Sequence, residues 1–399
     1  MLAIGVEHHA VDVQLVAFHL LHELAVGEVP EFYLAVIAAT GQKPAIRAGG
    51  DGPNPAGMRL YLANGRGFLS VGRPPHERVV VTGGLGFIGS NLAHSLVEGG
   101  AEVAIIDSLD PRSGGDIANI KGIDDSVELV SADICEFDAA ASVVQHAGFL
   151  FHCAAHTSHP YSMRDPQLDV AVNCIGTLNI LEALRRFQPA ARMVYVGTST
   201  QIGPMIAKPI TERHPVAPVD IYSANKAAAE YYCCIYASAY DMAVNSVRLP
   251  NVYGPRANIS SPDFGFINYF IGLALRDQSL TIYGDGEQLR SVLYVQDAVT
   301  AFALAAQANS RGKIWFAGDD RSVSVKELAE SIVATCGAGR VLHVEWPDDR
   351  KRIDVGDIVI DSSKIQEDLG WEAAVNLVEG LRMTVGHWRS ALYKHNVDV

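Results

Sequence analysis

The stretch "VTGGLGFIGSNLA", residues 81–93, decides how the rest of the chain is read. Its glycines, Gly83, Gly86 and Gly89, recur every third residue. They come after a β-branched run, "ERVVVTGG", and open an amphipathic stretch, "FIGSNLAHSLVEGG" (87–100), that a Gly pair stops. A strand, a glycine turn and a helix in that order form a phosphate cradle. The first glycine permits the tight turn, the second lets a pyrophosphate approach the backbone, and the third lets the helix pack close to the sheet. The helix start, with Phe87 and Ile88, offers N–H groups and a partial positive charge to the phosphates. A second strand, "AEVAIID", ends in Asp107. A carboxylate there accepts hydrogen bonds from a ribose 2′-hydroxyl and repels a 2′-phosphate, so the expected cofactor is NAD, not NADP. Asp133, after the third strand "SVELVSADI", is placed to reach the adenine, although a plain turn Asp would read the same way.

The rhythm continues outward. "FLFHCAA", "RMVYVGTST" and "VNSVRLPNVYG" read as further strands, with helices near 166–187 and from Tyr222 onward. Short apolar strands alternating with helices predict an α/β fold, a doubly wound parallel sheet covered on both faces. Residues 76–254 are expected to form this dinucleotide-binding domain, with 283–320 returning to it. Residues 255–282 and 321–399, aided by a segment near 205–220, are expected to form a smaller, discontinuous substrate domain. Residues 1–75 differ, with one or two apolar helical patterns and then "RAGGDGPNPAG" (47–57). They read as an N-terminal extension outside the fold, either a small accessory domain or, preferred here, upstream sequence from a misplaced start codon.

Composition bounds the function. The chain has 399 residues, 49% hydrophobic and 19% charged, which supports a large packed core. A formal net charge of −14 and the lack of a basic stripe argue against a nucleic-acid partner. The six cysteines form no C-x-x-C pair and read as thiols of a reducing compartment, which places the protein in the cytoplasm. The apolar run "VDVQLVAFHLLHELAV" is interrupted by Asp12, Gln14, His19, His22 and Glu23, so no membrane span is expected. The first basic side chain is Lys43, so neither a secretory signal nor a transit peptide is expected.

"DIYSANKAAAEYY" (220–232) places Tyr222 and Lys226 one helical turn apart on one face. The spacing alone carries little weight. Its place at the start of the helix after the fifth strand matters more, because ligands bind at the carboxyl edge of such a sheet. A free phenol has a pKa of about 10. A nearby ammonium and a cationic nicotinamide would both favour the phenolate, and lowering the pKa by ~3 units needs roughly 4 kcal/mol. Tyr222 could then take a proton from a substrate hydroxyl, with Lys226 supporting it and holding the nicotinamide ribose.

With these residues in view, the chain resembles the extended short-chain dehydrogenase/reductases of the NAD-dependent nucleotide-sugar epimerase/dehydratase group. The resemblance spans about residues 77–390. It is carried by "VTGGLGFIGSN", Asp107, "HCAA" (152–155), "VNCIGTLNILEA" (172–183), "VGTSTQIG" (196–203), "YSANK" (222–226), "RLPNVYGPR" (248–256), "IYGDGEQLRSVLYVQD" (282–297) and "DSSKIQEDLGW" (361–371). It implies an active-site hydroxyl at Thr198, with Tyr222 as base and Lys226 as its support. It implies cofactor contacts at Ala154 and Ala155, and substrate contacts at Asn251 and Arg290, whose guanidinium suits a diphosphate. Lys351 or Arg352 would add a second phosphate contact, and Arg352 is taken as the candidate. Asn173 matches a cofactor-side or purely structural asparagine. Members commonly dimerise through the Tyr222 helix and the one before it, which implies a homodimer.

The reaction is read from the two residues after Thr198. Dehydrating relatives carry Asp-Glu directly after this position, and decarboxylating relatives carry Glu two positions on. Here those positions are Ser199 and Thr200. The segment is similar to that of 4-epimerases, which need no extra acid or base, so the expected function is NAD-dependent epimerisation of a nucleotide-diphospho-sugar, at C4. It departs from the family in ending Ile202-Gly203 where Tyr-Gly is common. A 4,6-dehydratase, a decarboxylase or a keto-sugar reductase of the same fold is the alternative, and a non-catalytic NAD-binding protein is another. His152, His156 and His159 cluster after the fourth strand, but no carboxylate at matched spacing accompanies them and no metal site is expected.

Overall fold

The computed structural model describes residues 78–397, and the N-terminal extension read at 1–75 lies outside the described residues. The first strand, β1 (Arg78–Thr82), leads into α1 (Phe87–Glu98) and β2 (Glu102–Asp107). Then come β3 (Val127–Ser131), α2 (Phe137–Val144), β4 (Ala147–His152), α3 (Thr177–Phe187), β5 (Arg192–Thr198), α4 (Ile221–Ala239) and β6 (Ala243–Leu249). The C-terminal part adds β7 (Asn251–Tyr253), α5 (Phe266–Leu275), β8 (Ser279–Tyr283), β9 (Leu289–Tyr294) and α6 (Val295–Gln307). It ends with β10 (Ile314–Phe316), β11 (Ser322–Ser324), α7 (Val325–Cys336), β12 (Arg340–Val344) and α8 (Leu377–Val397).

Seven strands form one parallel sheet in the order β3-β2-β1-β4-β5-β6-β10. The order reverses direction between β1 and β4, which creates a crevice at the carboxyl edge. The strands read as unbroken apolar runs because both faces are covered. Val79, Val81 and Ile105 pack with Leu92, Leu96 and Phe302 on one face. Val80, Ala104 and Ile106 pack with Val144, Ile180, Leu184 and Cys233 on the other. This is the doubly wound sheet expected from the sequence.

The sixth predicted strand is two. Pro250 cannot donate to a ladder, and after it the chain leaves the large sheet. β7 pairs instead with β9, and β9 with β11, in a separate three-stranded sheet. β8 and β12 form a parallel pair. A distinct apolar cluster gathers here, including Tyr253, Ile271, Ile282, Leu328, Ile332 and Leu381.

The helix predicted near 166–187 is also divided. Residues Pro166–Val170 form a short helix, Ala171–Gly176 a π turn, and Thr177–Phe187 the regular helix α3. The Asn173 side chain bridges backward to His156 and Asp169 from inside the π turn, so the turn brings an anchor to the crevice loop.

Candidate active site

A cleft of about 660 Å³ opens at the crevice, lined by the glycine turn, the carboxyl ends of β2, β4 and β5, and the start of α4. Gly83 has φ +65°, and a Cβ there would lie 2.7 Å from the Ala154 backbone. A Cβ on Gly89 would lie 2.8 Å from the Gly84 Cα. At Gly86, by contrast, a Cβ would meet only the Gly83 carbonyl, at 3.2 Å. Gly86 precedes α1 with no side-chain cap, so the helix start faces the cleft through bare backbone. This is a cradle that a dinucleotide pyrophosphate fits. Asp107 is held rigidly, accepting Leu85 N–H at 3.0 Å and Leu109 N–H at 2.9 Å. Its carboxylate keeps acceptor capacity for a ribose hydroxyl. Burial raises its pKa, opposed by those two hydrogen bonds. Phe87, Ile88, Asp133, Ala154 and Ala155 also line the cleft, and Asp133 accepts Cys135 N–H at 2.9 Å in a local turn.

Thr198, Tyr222, Lys226 and Asn251 meet in the same cleft. Thr198 ends β5 and caps the short helix Ser199–Ile202 in a reciprocal box with Gln201. Gln201 donates to Glu230 at 2.7 Å, and the Glu230 carboxylate is also bound by Arg248 and by Ser246. All of these lie in the interior. A buried charged network from α4 and β6 therefore fixes the turn that presents Thr198. Sequence reading missed Gln201 and Glu230; the signal was Glu230 lying one further helical turn along the Tyr222–Lys226 face.

Tyr222 is buried, and it lines the cleft together with Thr198. The expected depression of its pKa is not what the chain alone produces. Burial pushes the phenol well above its usual value, the charges of Asp220 and Asp169 push it further, and only the nearby Thr198 hydroxyl opposes them. Lys226 is buried and lies 4.2 Å over the Tyr195 ring. Burial lowers its pKa to about 8, partly offset by Cys233, Cys153, Glu230 and Asp169. It is thus still protonated at neutral pH. The chain holds a neutral phenol and an ammonium on one cleft wall, and favouring the phenolate is left to a cationic ligand.

Two expected phosphate contacts are not among the side chains that line the cleft. Arg290 is buried on β9, donating to the Leu289 and Gly356 carbonyls and to Asp354, and it does not line the cleft. It anchors the 354–357 segment instead. Arg352 does not line the cleft either, whereas Arg350, on the same short helical turn, does. The choice between neighbouring basic residues depends on how a short helix turns, which spacing does not encode. The three histidines each serve a different partner. His152 sits between Thr82 and Thr177, and burial and the Lys226 charge lower its pKa to about 3. His156 pairs with Asp169 at 3.0 Å, and His159 with Asp220 at 2.9 Å. Asn173 ties His156 to Asp169, so its observed contacts are structural.

Residues 80–384 match the family model described as GDP-mannose 4,6 dehydratase. The chain belongs to this family of extended short-chain dehydrogenase/reductases. Like other members of it, the protein is an enzyme. It is 32% identical to a UDP-glucose 4-epimerase of Mycolicibacterium smegmatis over 317 residues, covering 78% of this chain and 99% of that one. A dTDP-glucose 4,6-dehydratase of an Actinoplanes species is 30% identical, covering 78% and 98%. The crystal structure of Thermus thermophilus UDP-glucose 4-epimerase in complex with NAD superposes with a TM-score of 0.70 at 30% identity, covering 79% and 99%. The family thus spans epimerases and dehydratases, and the reaction of this member turns on its site.

Proposed function

We propose that the protein is an NAD-dependent 4-epimerase of a nucleotide-diphospho-sugar. The observation that carries this reading is the composition of the turn beside Tyr222. The residues after Thr198 present hydroxyls, with Ser199 buried and Thr200 bonded to Thr198 and Ser223, where an eliminating enzyme needs a carboxyl group. At these two positions the site has no carboxyl acid or base to expel water, while it can still oxidise and reduce a sugar carbon.

NAD held by the glycine turn and Asp107 would supply hydride acceptance and return. The chain does the rest. Tyr222, with Thr198 in the same cleft, accepts the proton of the sugar hydroxyl and returns it once the other face of the ring is presented. Lys226, charged below pH 8 or so, would hold the ribose. Asn251 and Arg350 on the cleft wall would meet the diphosphate. Tyr283 and Trp346, with ring centroids 5.2 Å apart and both lining the cleft, offer π surface for a base.

No helix among the described residues is long and apolar enough to cross a membrane. All six cysteines are free thiols, which fits a cytoplasmic enzyme. Ile175, Tyr231 and Ile235 are exposed on the π turn and α4, which supports a homodimer through this face.

The test is to incubate the purified protein with UDP-, GDP-, dTDP- and CDP-sugars and read the products by NMR. A new C4 stereoisomer should accumulate with no net change in reduced-cofactor absorbance. Loss of water from the sugar, or stoichiometric consumption of reduced cofactor, would overturn the epimerase reading.

A further inference from the structure

Tyr195, on β5, stands behind the cleft wall and meets Lys226 at both ends of that residue. Its hydroxyl donates to the Lys226 carbonyl at 3.1 Å, and the Lys226 Nζ lies over its ring, 4.2 Å from the centroid. Tyr195 is fully buried and does not line the cleft, while Lys226 is 4% exposed and does. We propose that Tyr195 is a positioning residue for the reaction, its ring face being the seat that holds the Lys226 ammonium at the cleft wall. The proposal rests on Lys226 being the group that holds the ribose in the reading above.

Nearby carboxylates do not provide that seat. The two whose charges reach Lys226, Glu230 and Asp169, are engaged elsewhere. Glu230 accepts from Gln201, Ser246 and Arg248. Asp169 accepts from Asn173 and Asn225 and pairs with His156. The other titratable groups facing the amine are neutral at neutral pH. Cys233 on α4, Cys153 after β4 and Cys174 in the π turn are thiols whose pKa burial raises. His152, on β4, is an uncharged ring held between Thr82 and Thr177. Tyr222, one helical turn away on the same wall, is a neutral phenol.

The ring is different in kind. An aromatic face carries the negative end of a quadrupole, and it attracts a cation most strongly where both are out of water. Among the described residues, Lys226 is the only cation over the Tyr195 face. The bond from the Tyr195 hydroxyl to the Lys226 carbonyl ties the ring to the backbone of the residue it serves, so strand and helix are joined through main chain and side-chain tip together. Packing of an apolar ring would need neither contact.

The test is NMR on the full-length protein, as purified with its cofactor, carrying ¹³C at lysine Cε. The Lys226 signal is assigned by its loss in Lys226→Met, and its titration is followed with pH. Tyr195→Phe removes the hydroxyl bond but leaves the π face, and should keep the Lys226 pKa within about 0.3 of wild type. Pentafluorophenylalanine at position 195 keeps the shape of the ring and reverses the charge on its face. It should lower that pKa by about one unit or more, because the charged form loses its seat. A trifluorinated ring, closer to the native one, should fall between them, and it decides the matter should the pentafluorinated protein not fold. Equal pKa values for the fluorinated and unfluorinated rings would overturn the seat, as would a fall in Tyr195→Phe as large as in the fluorinated proteins. A shifted amine beside a nucleotide-sugar panel without turnover would sink the sugar reading and leave the seat standing. Turnover beside an unmoved amine would do the reverse.

Discussion

At the residue scale, the proposed reaction assigns the proton to the Tyr222 phenol and the ribose to Lys226. Replacing the phenol by Tyr222→Phe should lower kcat by about 10²–10⁴, the usual weight of general acid–base catalysis, while the affinity for NADH, whose nicotinamide is uncharged, stays the same by calorimetry. Lys226 has a different consequence. Its pKa falls to about 8 on burial, so at neutral pH folding carries the cost of desolvating an ammonium. A depressed lysine contributes stability above its unfolded pKa of about 10.4 that is lost as pH falls through 8. Lys226→Met should therefore raise the unfolding temperature at pH 7 by the equivalent of about 1–2 kcal/mol, after allowing for the lost contact with the Tyr195 ring. The gain should shrink between about pH 8 and 10.5, as the wild-type amine goes neutral in the folded state. A variant less stable than wild type at pH 7 would contradict this. The positions of Tyr222 and Lys226 were legible in the sequence because one helical turn relates them. Their ionisation was not, because Asp169 comes from a segment far away in the chain and burial comes from the whole fold.

At the element scale, the glycine turn and the helix caps act locally, and local chemistry is what sequence encodes best. Gly89→Ala would press a methyl group against the Gly84 backbone and force α1 away from β1. Overpacking of this kind costs about 1–3 kcal/mol. Urea denaturation should show that loss, and NAD affinity should fall with it because the cradle opens. Ser324→Ala provides the contrast. Ser324 caps α7 in a reciprocal box with Glu327, remote from the cleft. Its loss should cost about 1 kcal/mol in the same titration and leave NAD affinity unchanged. The break at Pro250 was visible as a residue without an N–H. That β7 would then join a different sheet was not, since its partner β9 is distant in sequence. The π turn at Ala171–Gly176 was likewise hidden, because it serves the Asn173–Asp169–His156 contacts and not any local pattern.

At the scale of the whole molecule, exposed apolar side chains on the π turn and α4 should bring two copies together. Tyr231→Asp combined with Ile235→Asp should shift the sedimentation mass from dimer to monomer. A wild-type protein that sediments as a monomer would remove the basis for that face. The periodic strands, the glycine spacing and the Tyr222–Lys226 turn were set by the sequence alone, since each depends on neighbours within a few residues. Which carboxylates raise the phenol, why Arg350 faces the cleft while Arg290 is turned onto the 354–357 segment, and how the Tyr195 ring comes to lie against Lys226 were decided only by tertiary structure. Those relations join side chains from separate elements, and the packing that brings them together leaves no periodic trace along the chain.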